Sequence, residues 1–289
     1  MGKVSSLKAE VEEVRDLVEI FSVLKDVATN RYYQMIGQQE DLSNFFKEFD
    51  VFFNMLGSLN TSSPLIRNTN PVTIILTVTA EPSFMSILNS KVCNTALEEY
   101  KKRPNSKVVC VGWRGEDKCK QLGMEVDQTY KNVEEFGRYQ SALKIRDYLM
   151  EKVISGKAGR VICVSVFAQN FSMLKPKVVT LLPAEDMIKK GAAEGKRSNL
   201  GQGRDFILES GVDALMRVIA DVWVTTRIVE ILSETKLAEF AAQAQQLDSS
   251  IDGLSAERKG LNIQFKKALR ANLNKAIREV VVASKIKKN

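Results

Sequence analysis

The sequence predicts an α/β chain in which two long helices, one at each end, pair as an antiparallel coiled coil around an inserted small parallel sheet. Three observations predict this class. Apolar residues recur at alternating three- and four-residue steps over both ends. Short β-branched runs alternate with helical segments between those ends. The chain contains only 6 Pro and 16 Gly, which permits long helices and disfavours a turn-rich β-sandwich.

Residues 1–60 are predicted to form the N-terminal coiled-coil helix. Apolar residues follow the spacing of a coiled-coil seam, and charged residues lie between them, as on a solvated flank. No Pro precedes Pro64, and the first Gly after Gly2 is Gly37. The predicted seam residues are Val4, Leu7, Val11, Val14, Val18, Phe21 and Ala28.

Residues 210–289 repeat the pattern without any Pro and are predicted to form the C-terminal coiled-coil helix. Gly211, Gly253 and Gly260 are its weak points, each costing about 1 kcal/mol relative to Ala. Two terminal helices with matching seams most simply pair antiparallel. The seam predicted here comprises Leu215, Val218, Val222, Val229, Leu232, Leu247, Ile251, Leu254, Leu261, Phe265, Leu273, Ile277 and Val280.

The middle of the chain, residues 70–188, alternates strands and helices. The β-rich runs are Val72–Val78, Lys107–Gly112, Arg160–Val166 and Lys177–Leu182, and the helical patterns fit residues 84–102, 115–122 and 132–154. Strands that are apolar almost throughout are typical of a parallel sheet covered by helices, so a small Rossmann-like domain is expected. Four glycines within Lys189–Arg204 predict that residues 189–209 form a flexible loop before the last helix.

Composition excludes several kinds of site. The 289 residues include 42 Lys and Arg, 35 Asp and Glu, and no His, for a formal net charge of +7. Without His, a His-based catalytic triad, His metal ligands and an imidazole pH switch are excluded. The four cysteines form no CxxC pair, and we expect reduced, buried thiols in a cytoplasmic protein. No apolar run approaches the about 20 residues of a membrane-spanning helix, and the acidic N-terminal region is unlike a targeting peptide.

Candidate chemistry is sparse. Gly191–Arg197 approaches a phosphate-binding loop, but its spacing is one residue short and Arg197 stands where Ser or Thr is needed. The turn Ala80–Ser83 contains no Gly for close approach to a phosphate. Basic residues alternate with acidic ones along the helices, which does not favour nucleic-acid binding. We expect no catalytic residue, cofactor, metal or nucleic-acid partner. Two rival interpretations remain. One is a stand-alone α/β enzyme or scaffold that carries a helical stalk, and the other is a nucleic-acid-binding coiled-coil protein.

This organisation resembles the gamma subunit, the central rotor shaft, of F-type ATP synthases over essentially the whole chain. Leu24–Asn30 resembles the family's M-K-M-V-A-A-S-K segment, and Val161–Pro183 resembles its strand–loop–strand ending in L-L-P. Ser233–Ala241 matches the S-E-x6-A of the long C-terminal helix. Phe265–Asn274 is similar to Y-N-K-A-R-Q-A-x-I-T. These stretches occur in family order and spacing, so the chain is identified as a divergent member.

The resemblance implies a non-catalytic subunit that couples ion-driven rotation of a membrane ring to ATP synthesis or hydrolysis. The helix pair would lie inside a catalytic hexamer of alpha and beta subunits. The foot would dock on the epsilon subunit and the c-subunit membrane ring, which implies a peripheral position at the cytoplasmic face of the membrane. The alternatives are a gamma-like paralogue with altered partners in an F-type-like motor and a non-catalytic α/β scaffold with a helical stalk.

The resemblance also assigns residues that contact the catalytic ring. They are Leu24, Lys25, Arg270 and Asn274. The sequence departs from the family at Glu81–Asn89, where the family's Gly-rich D-R-G-L-C-G-x-x-N keeps only its ends. In the last helix the family's Arg-Gln pair corresponds to Leu269 and Arg270, and its Thr corresponds to Asn274. We expect Arg270 and Asn274 to supply a substitute for the family's polar contact with a loop of the ring.

Overall fold

The computed structural model describes the backbone of residues 2–57, 63–81, 85–133, 137–183 and 212–286. The loop expected at 189–209 lies outside these residues, and the domain boundaries drawn from the sequence stay predictions. Contacts divide the chain into two compact units. One comprises residues 1–30 and 243–289, and the other comprises residues 31–242.

The described elements follow the predicted order of a long helix, an α/β region and a second long helix. They are α1 (Lys3–Gly57), β1 (Thr73–Val78), α2 (Ser86–Lys102), β2 (Ser106–Val111), α3 (Trp113–Gln121), β3 (Val126–Tyr130), α4 (Arg138–Ile154), β4 (Arg160–Asn170), β5 (Met173–Leu182) and α5 (Val212–Ile286). The helix predicted over 132–154 begins later, at Arg138. The predicted fold class is confirmed.

In the first unit, α1 and α5 pair along the predicted seam. Lys25, near the end of the α1 segment, contacts Asp248, near the start of the α5 segment, so the two segments run antiparallel. Leu7, Val14 and Ala28 of the α1 seam are buried. The α5 seam residues Leu247, Ile251, Leu254, Leu261 and Phe265 are half-buried. Half-burial is expected where each helix has a partner on one side only.

The second unit contains one five-stranded sheet in the order β3–β2–β1–β4–β5. β1 pairs in parallel with β2 and β4, and β2 pairs in parallel with β3. β5 runs antiparallel to β4, because only Phe171 and Ser172 separate the two strands and a parallel return needs a crossover of about a dozen residues or more. The sheet is therefore parallel-dominated and mixed, with a hairpin at one edge.

β3 is a strand that the sequence pattern did not predict. Its residues, Val-Asp-Gln-Thr-Tyr, are half-buried or exposed and lack the continuous apolar run of the inner strands. The strand lies at the sheet edge, where it pairs with β2 through Val108 with Val126 and Val111 with Tyr130. An edge position explains its polar sequence, because an edge strand is not covered on both faces.

Helices cover both faces of the sheet. On one face, Leu76 and Val109 pack with Ile145 and Leu149 of α4 and with Trp223 of α5. The opposite face packs against α2 and α3 through a second buried cluster. These two layers account for the almost uninterrupted apolar sequences of β1 and β2, because strands covered on both faces bury every side chain.

The buried face of α5 in this unit differs from the predicted seam. Val218 and Val222 are 59% and 41% exposed, whereas Ile219 and Trp223 are 5% and 1% exposed. Leu215 lies outside the described side chains. The prediction was wrong for Val218 and Val222 but is confirmed for Leu232, which is 5% exposed, and for Val229, which packs against the same buried cluster. The difference arises because this part of α5 packs on the sheet, which buries adjacent pairs of residues in a stripe wider than a coiled-coil seam. Those pairs are Ile219 with Ala220, Trp223 with Val224, and Ile231 with Leu232.

Candidate functional site

The carboxyl edge of the parallel strands, where an α/β sheet usually binds ligands, is closely packed where the described segments follow β1 and β2. Gly112 follows β2 with a φ of 92°, and a Cβ there would lie 2.7 Å from Thr79 Oγ1. The Thr79 hydroxyl donates a hydrogen bond to the Val111 carbonyl at 2.7 Å. The segments that leave β1 and β2 are therefore packed against each other.

Side chains also fix the turn after β1. The Asn89 amide donates to the Ala80 carbonyl at 2.7 Å, and its oxygen accepts from the Ala80 backbone N–H at 2.8 Å. The Glu81 carboxylate accepts from the Asn132 backbone N–H at 2.7 Å, and the Glu81 carbonyl accepts from Arg114 Nε at 2.9 Å. The polar groups at this edge thus hold the loops in place.

Cysteines and acidic residues do not form a metal site within the described ranges, where no three candidate ligands come together. Cys93, Cys110, Cys119 and Cys163 are free and buried. The contact with Cys119, together with burial, raises the pKa of the Cys93 thiol far above its ordinary value, so it stays protonated. Within the same ranges, none of the helices combines the length and the apolar character that a membrane crossing requires.

The paired helices of the first unit carry the residues that the resemblance assigned. Lys25 is the charged residue in the otherwise apolar α1 seam, between Phe21 and Ala28. Its Nζ donates to Asp248 Oδ1 at 2.9 Å. The hydrogen bond and charge of Asp248 raise the pKa of Lys25 above its usual value. Asp248 was not predicted from the sequence, because nothing in the local pattern shows which α5 residue faces Lys25.

A second apolar row on α1 faces solvent. This outer stripe consists of Leu17, Ile20, Leu24 and Val27, whose side chains are between 37% and 54% exposed. Each member precedes a seam position by one residue, so the stripe repeats at the same three- and four-residue steps. That repeat is visible in the sequence, but the family resemblance assigned only Leu24 as a contact residue. An exposed apolar row on a helix is typical of a surface that binds another protein.

Residues 269–283 of α5 are exposed on every side. This exposed stretch includes Leu273, Ile277 and Val280, which are 55%, 60% and 68% exposed. Their assignment to the seam was wrong. Counting 22 residues from the Lys25–Asp248 contact along both helices reaches Lys3, the first residue of α1, and Arg270 on α5, so the described part of α1 extends about as far as the start of this exposed stretch.

The four assigned contact residues fall into two separate places. Leu24 and Lys25 lie beside Asp248, whereas Arg270 lies 22 residues farther along α5, about 33 Å at the helical rise. Asn274 is one helical turn beyond Arg270, on the same side of the exposed stretch. Both residues are exposed.

Comparison with known sequences covers nearly the whole chain. A family model described as ATP synthase matches residues 3–285. The ATP synthase gamma chain of Halothermothrix orenii is 21% identical over 285 residues, which are 97% of this chain and 98% of that relative. The ATP synthase gamma chain of Chlorobium phaeobacteroides is 26% identical over 243 residues, which are 78% of this chain and 80% of that relative.

Solved structures share the fold. A chain in the OSCP, F1 and c-ring structure of the Euglena gracilis mitochondrial ATP synthase has a TM-score of 0.62 at 13% identity, covering 98% of this chain and 94% of that chain. A chain in the central-stalk and c-ring structure of the Tetrahymena thermophila mitochondrial ATP synthase has a TM-score of 0.59 at 11% identity, covering 80% and 99%. At these identities the structures support the fold alone. Because the family model spans nearly the entire sequence, this chain belongs to the ATP synthase gamma-chain family, as a divergent member.

Proposed function

We propose that this chain is the central-stalk rotor subunit of an F-type ATP synthase or ATPase, coupling ion-driven rotation of a membrane ring to ATP synthesis or hydrolysis in the catalytic hexamer. The observation that carries the proposal is the pair of uninterrupted helices, 55 residues in α1 and 75 in α5, in a chain of the gamma-chain family. Two solved structures that share the fold are described as the central stalk with the c-ring of one mitochondrial ATP synthase and the rotor of another.

The helix pair has the properties that torque transmission needs. Neither α1 nor α5 contains Pro, so no backbone hydrogen bond is lost to a proline along either helix. Packing two helices along a shared apolar seam makes the pair stiffer than a single helix. The outer stripe makes one side of α1 apolar, and rotation would present that side to each surrounding subunit in turn.

We further propose two contacts with the catalytic ring. Leu24, as part of the outer stripe, would make an apolar contact, while Lys25 holds the seam through Asp248. Arg270 and Asn274 would make a polar contact at a second level about 33 Å away along α5. The exposure of Leu24, Arg270 and Asn274 leaves all three accessible to a partner.

We also propose which subunits bind each part of this chain and where the chain lies. Alpha and beta subunits would surround the helix pair, and the epsilon subunit and the c-subunit ring would bind the α/β region. The chain would be non-catalytic, which the close packing of the described segments after β1 and β2 supports. It would be peripheral at the cytoplasmic face of the membrane, held there by its partners.

Co-expression with alpha- and beta-type ATPase subunits tests the rotor function. We expect a complex with one copy of this chain per hexamer, and an ATPase turnover that is lost when the chain is omitted. Purification of this chain alone, together with a hexamer whose turnover ignores its addition, would show that the family fold has been kept without the rotor role.

A double variant tests the polar contact. Arg270→Ala with Asn274→Ala should lower the ATPase rate of the assembled complex, while the control Lys275→Ala, on another side of the exposed stretch, should leave it unchanged. Fully intact turnover in the double variant would contradict a contact at these residues, without affecting the rotor proposal.

A further inference from the structure

The β4–β5 hairpin extends beyond the rest of the sheet. β1 pairs with β4 only as far as Val164, whereas β4 continues to Asn170, paired with β5 alone. We define this extension, residues 165–177, as the hairpin arm. An isolated two-stranded ribbon is only marginally stable in water, so the hairpin arm needs packing from elsewhere.

The tip of the hairpin arm packs on α1. The Phe171 ring meets the Tyr32 ring edge-on at a centroid distance of 5.0 Å and is stacked with the Tyr33 ring at 6.2 Å. The Asn170 side chain accepts hydrogen bonds from the backbone N–H groups of Ser172 and Met173 at 3.0 and 2.8 Å, which fixes the turn. Tyr32 is 3% exposed, so this contact closes over a buried ring.

The same end of the hairpin arm also packs on α5. Ala168, Phe171 and Leu174 lie against a buried cluster that joins α1 to α5. That cluster consists of Tyr32, Met35, Leu237, Phe240 and Ala241. The hairpin arm therefore contacts both long helices at one place, whereas the large buried cluster on the face of the sheet contains α5 side chains and none from the described part of α1.

A charged contact fixes the base of the hairpin arm. Lys177 Nζ donates to both carboxylate oxygens of Glu234 on α5, at 3.0 and 3.1 Å. The same Nζ lies 5.6 Å from the centre of the Phe167 ring on the neighbouring strand. The Glu234 side chain is only 18% exposed, so little solvent screens the pair. Together with Phe171 and Leu174, this contact attaches the hairpin arm to α5 over the two turns from Glu234 to Ala241.

We infer that the hairpin arm fastens the sheet to both long helices, so that a torque on the helices is passed to the sheet through Phe171, Leu174 and Lys177. The torque part rests on the proposed rotor function, and the fastening part does not. Within the described residues, the large buried cluster on the face of the sheet joins the sheet to α5 and not to α1, whereas the hairpin arm contacts both α1 and α5. A relative twist of the two helices therefore has to displace the hairpin arm. These residues are positioning residues, because they act through α1 and α5.

Hydrogen exchange on the full chain tests the fastening. In Phe171→Ala, amides in residues 31–37 and 234–241 should exchange faster, while those of β1 and β2 keep the parent rate. The matched control is Met173→Ala, on the same hairpin with its side chain 44% exposed, and it should leave all four segments unchanged. Equal exchange in the two variants, or equal acceleration in every segment, would overturn the inference.

Rotation of the assembled complex tests the torque path. All four native cysteines are buried, so Lys101→Cys on the exposed end of α2 provides a selective site for a bead. With the alpha–beta hexamer immobilised and no ATP added, the angular variance of the bead reports torsional stiffness. The variant for this test is Phe171→Leu, because it keeps an apolar side chain and can be used even if the alanine variant is unstable. It should increase the angular variance relative to Met173→Ala while the two variants have equal ATPase rates.

The outcomes separate the two proposals. Unchanged variance in Phe171→Leu, at normal ATPase, would overturn the torque path and leave the rotor function intact. Failure of the parent chain to assemble with the hexamer would contradict the rotor function and with it the torque path. The hydrogen-exchange experiment would still show whether the hairpin arm fastens the sheet to the two helices.

Discussion

Lys25 shows how one polar residue in an apolar seam determines which residues face each other. A seam of apolar residues alone tolerates sliding by a heptad, whereas a charged seam residue is satisfied only opposite a suitable partner. Lys25 finds that partner in Asp248 at 2.9 Å. We therefore expect the pair to contribute more to the register of the helix pair than to its stability, because Asp248 is 61% exposed.

Exchange of the two charges tests this role. Lys25→Asp places two carboxylates together and should lower the thermal unfolding midpoint, and adding Asp248→Lys should restore most of the loss. Lys25→Met should keep or raise the midpoint, because it continues the apolar seam. Circular dichroism melts of the three variants provide the measurement. A double variant no more stable than Lys25→Asp alone would contradict direct pairing.

Asp127 on the edge strand β3 is a second residue whose neighbours favour its charged form. The Tyr148 hydroxyl donates to its Oδ2, and Lys152 Nζ lies 3.2 Å from the same atom. These contacts, led by the Tyr148 hydrogen bond, hold the pKa of Asp127 below its usual range. A lowered pKa in the folded state contributes stability that is present above the unfolded pKa, about 3.9, and is lost as the pH falls through the lower folded pKa.

Asp127→Asn should therefore lower the free energy of unfolding by about 1 kcal/mol at neutral pH. The difference from the parent should begin to shrink as the pH falls to about 4, where the carboxyl of the unfolded parent becomes protonated, and should shrink further until the pH is below the lower folded pKa. Urea unfolding at several pH values measures it. The control Asp147→Asn, at a side chain 66% exposed, should change little. A constant difference at all pH values would exclude ionisation of Asp127 as the cause.

At the level of the elements, the glycines have opposite roles in the long and the short helices. Gly253 and Gly260 lie within α5, and a Cβ at either would meet no atom within 4 Å. Gly115 lies in the short helix α3, where a Cβ would overlap the Thr79 side chain. The glycines of α5 thus weaken the helix without a packing reason, whereas Gly115 permits α3 to approach the end of β1.

Gly253→Ala and Gly260→Ala should each stabilise the chain by about 1 kcal/mol, because Ala has the higher helix propensity. Gly115→Ala should destabilise it by about 1–3 kcal/mol, because the added methyl overpacks a closed site. Denaturant unfolding of the three single variants provides the measurement. A neutral Gly115→Ala would contradict the close packing of α3 on Thr79.

For the whole molecule, the exposed apolar side chains indicate a protein adapted to being surrounded by others. The outer stripe and the exposed stretch of α5 together expose Ile20, Leu24, Leu273, Ile277 and Val280. Such rows promote association of an isolated chain and become useful when partner subunits cover them. The proposed rotor function accounts for both rows, because alpha and beta subunits would lie around them.

Leu24→Gln combined with Val27→Gln should reduce aggregation of the isolated chain and also weaken its assembly with alpha and beta subunits. Light scattering measures the first effect and the yield of the purified complex measures the second. The control Ile87→Gln, 68% exposed on α2, should leave assembly with the alpha–beta hexamer unchanged. Improved solubility with undiminished assembly would show that the outer stripe does not contact the ring.

The sequence by itself determined the two long helices and the covered strands, because periodicity and β-branched runs are local signals. The α1 seam through Leu7, Val14 and Ala28 follows from spacing alone. So do β1 and β2, whose residues are apolar in succession. The family resemblance also rests on short stretches of sequence, and the family match over residues 3–285 confirms it.

Only the tertiary structure decided which residues meet over long separations. It paired Lys25 with Asp248 and made β5 antiparallel to β4. In the part of α5 that packs on the sheet, it buried Trp223 and left Val222 exposed. It also left residues 269–283 of α5 exposed, so the half-buried seam stops before Leu269 among the described side chains. Each of these contacts depends on which other element a residue packs against. The spacing of apolar residues along the chain shows only that one face of an element is buried. The physical reason is that apolar burial is non-directional, so the pattern shows which residues leave water, and the packing of the elements fixes what they touch.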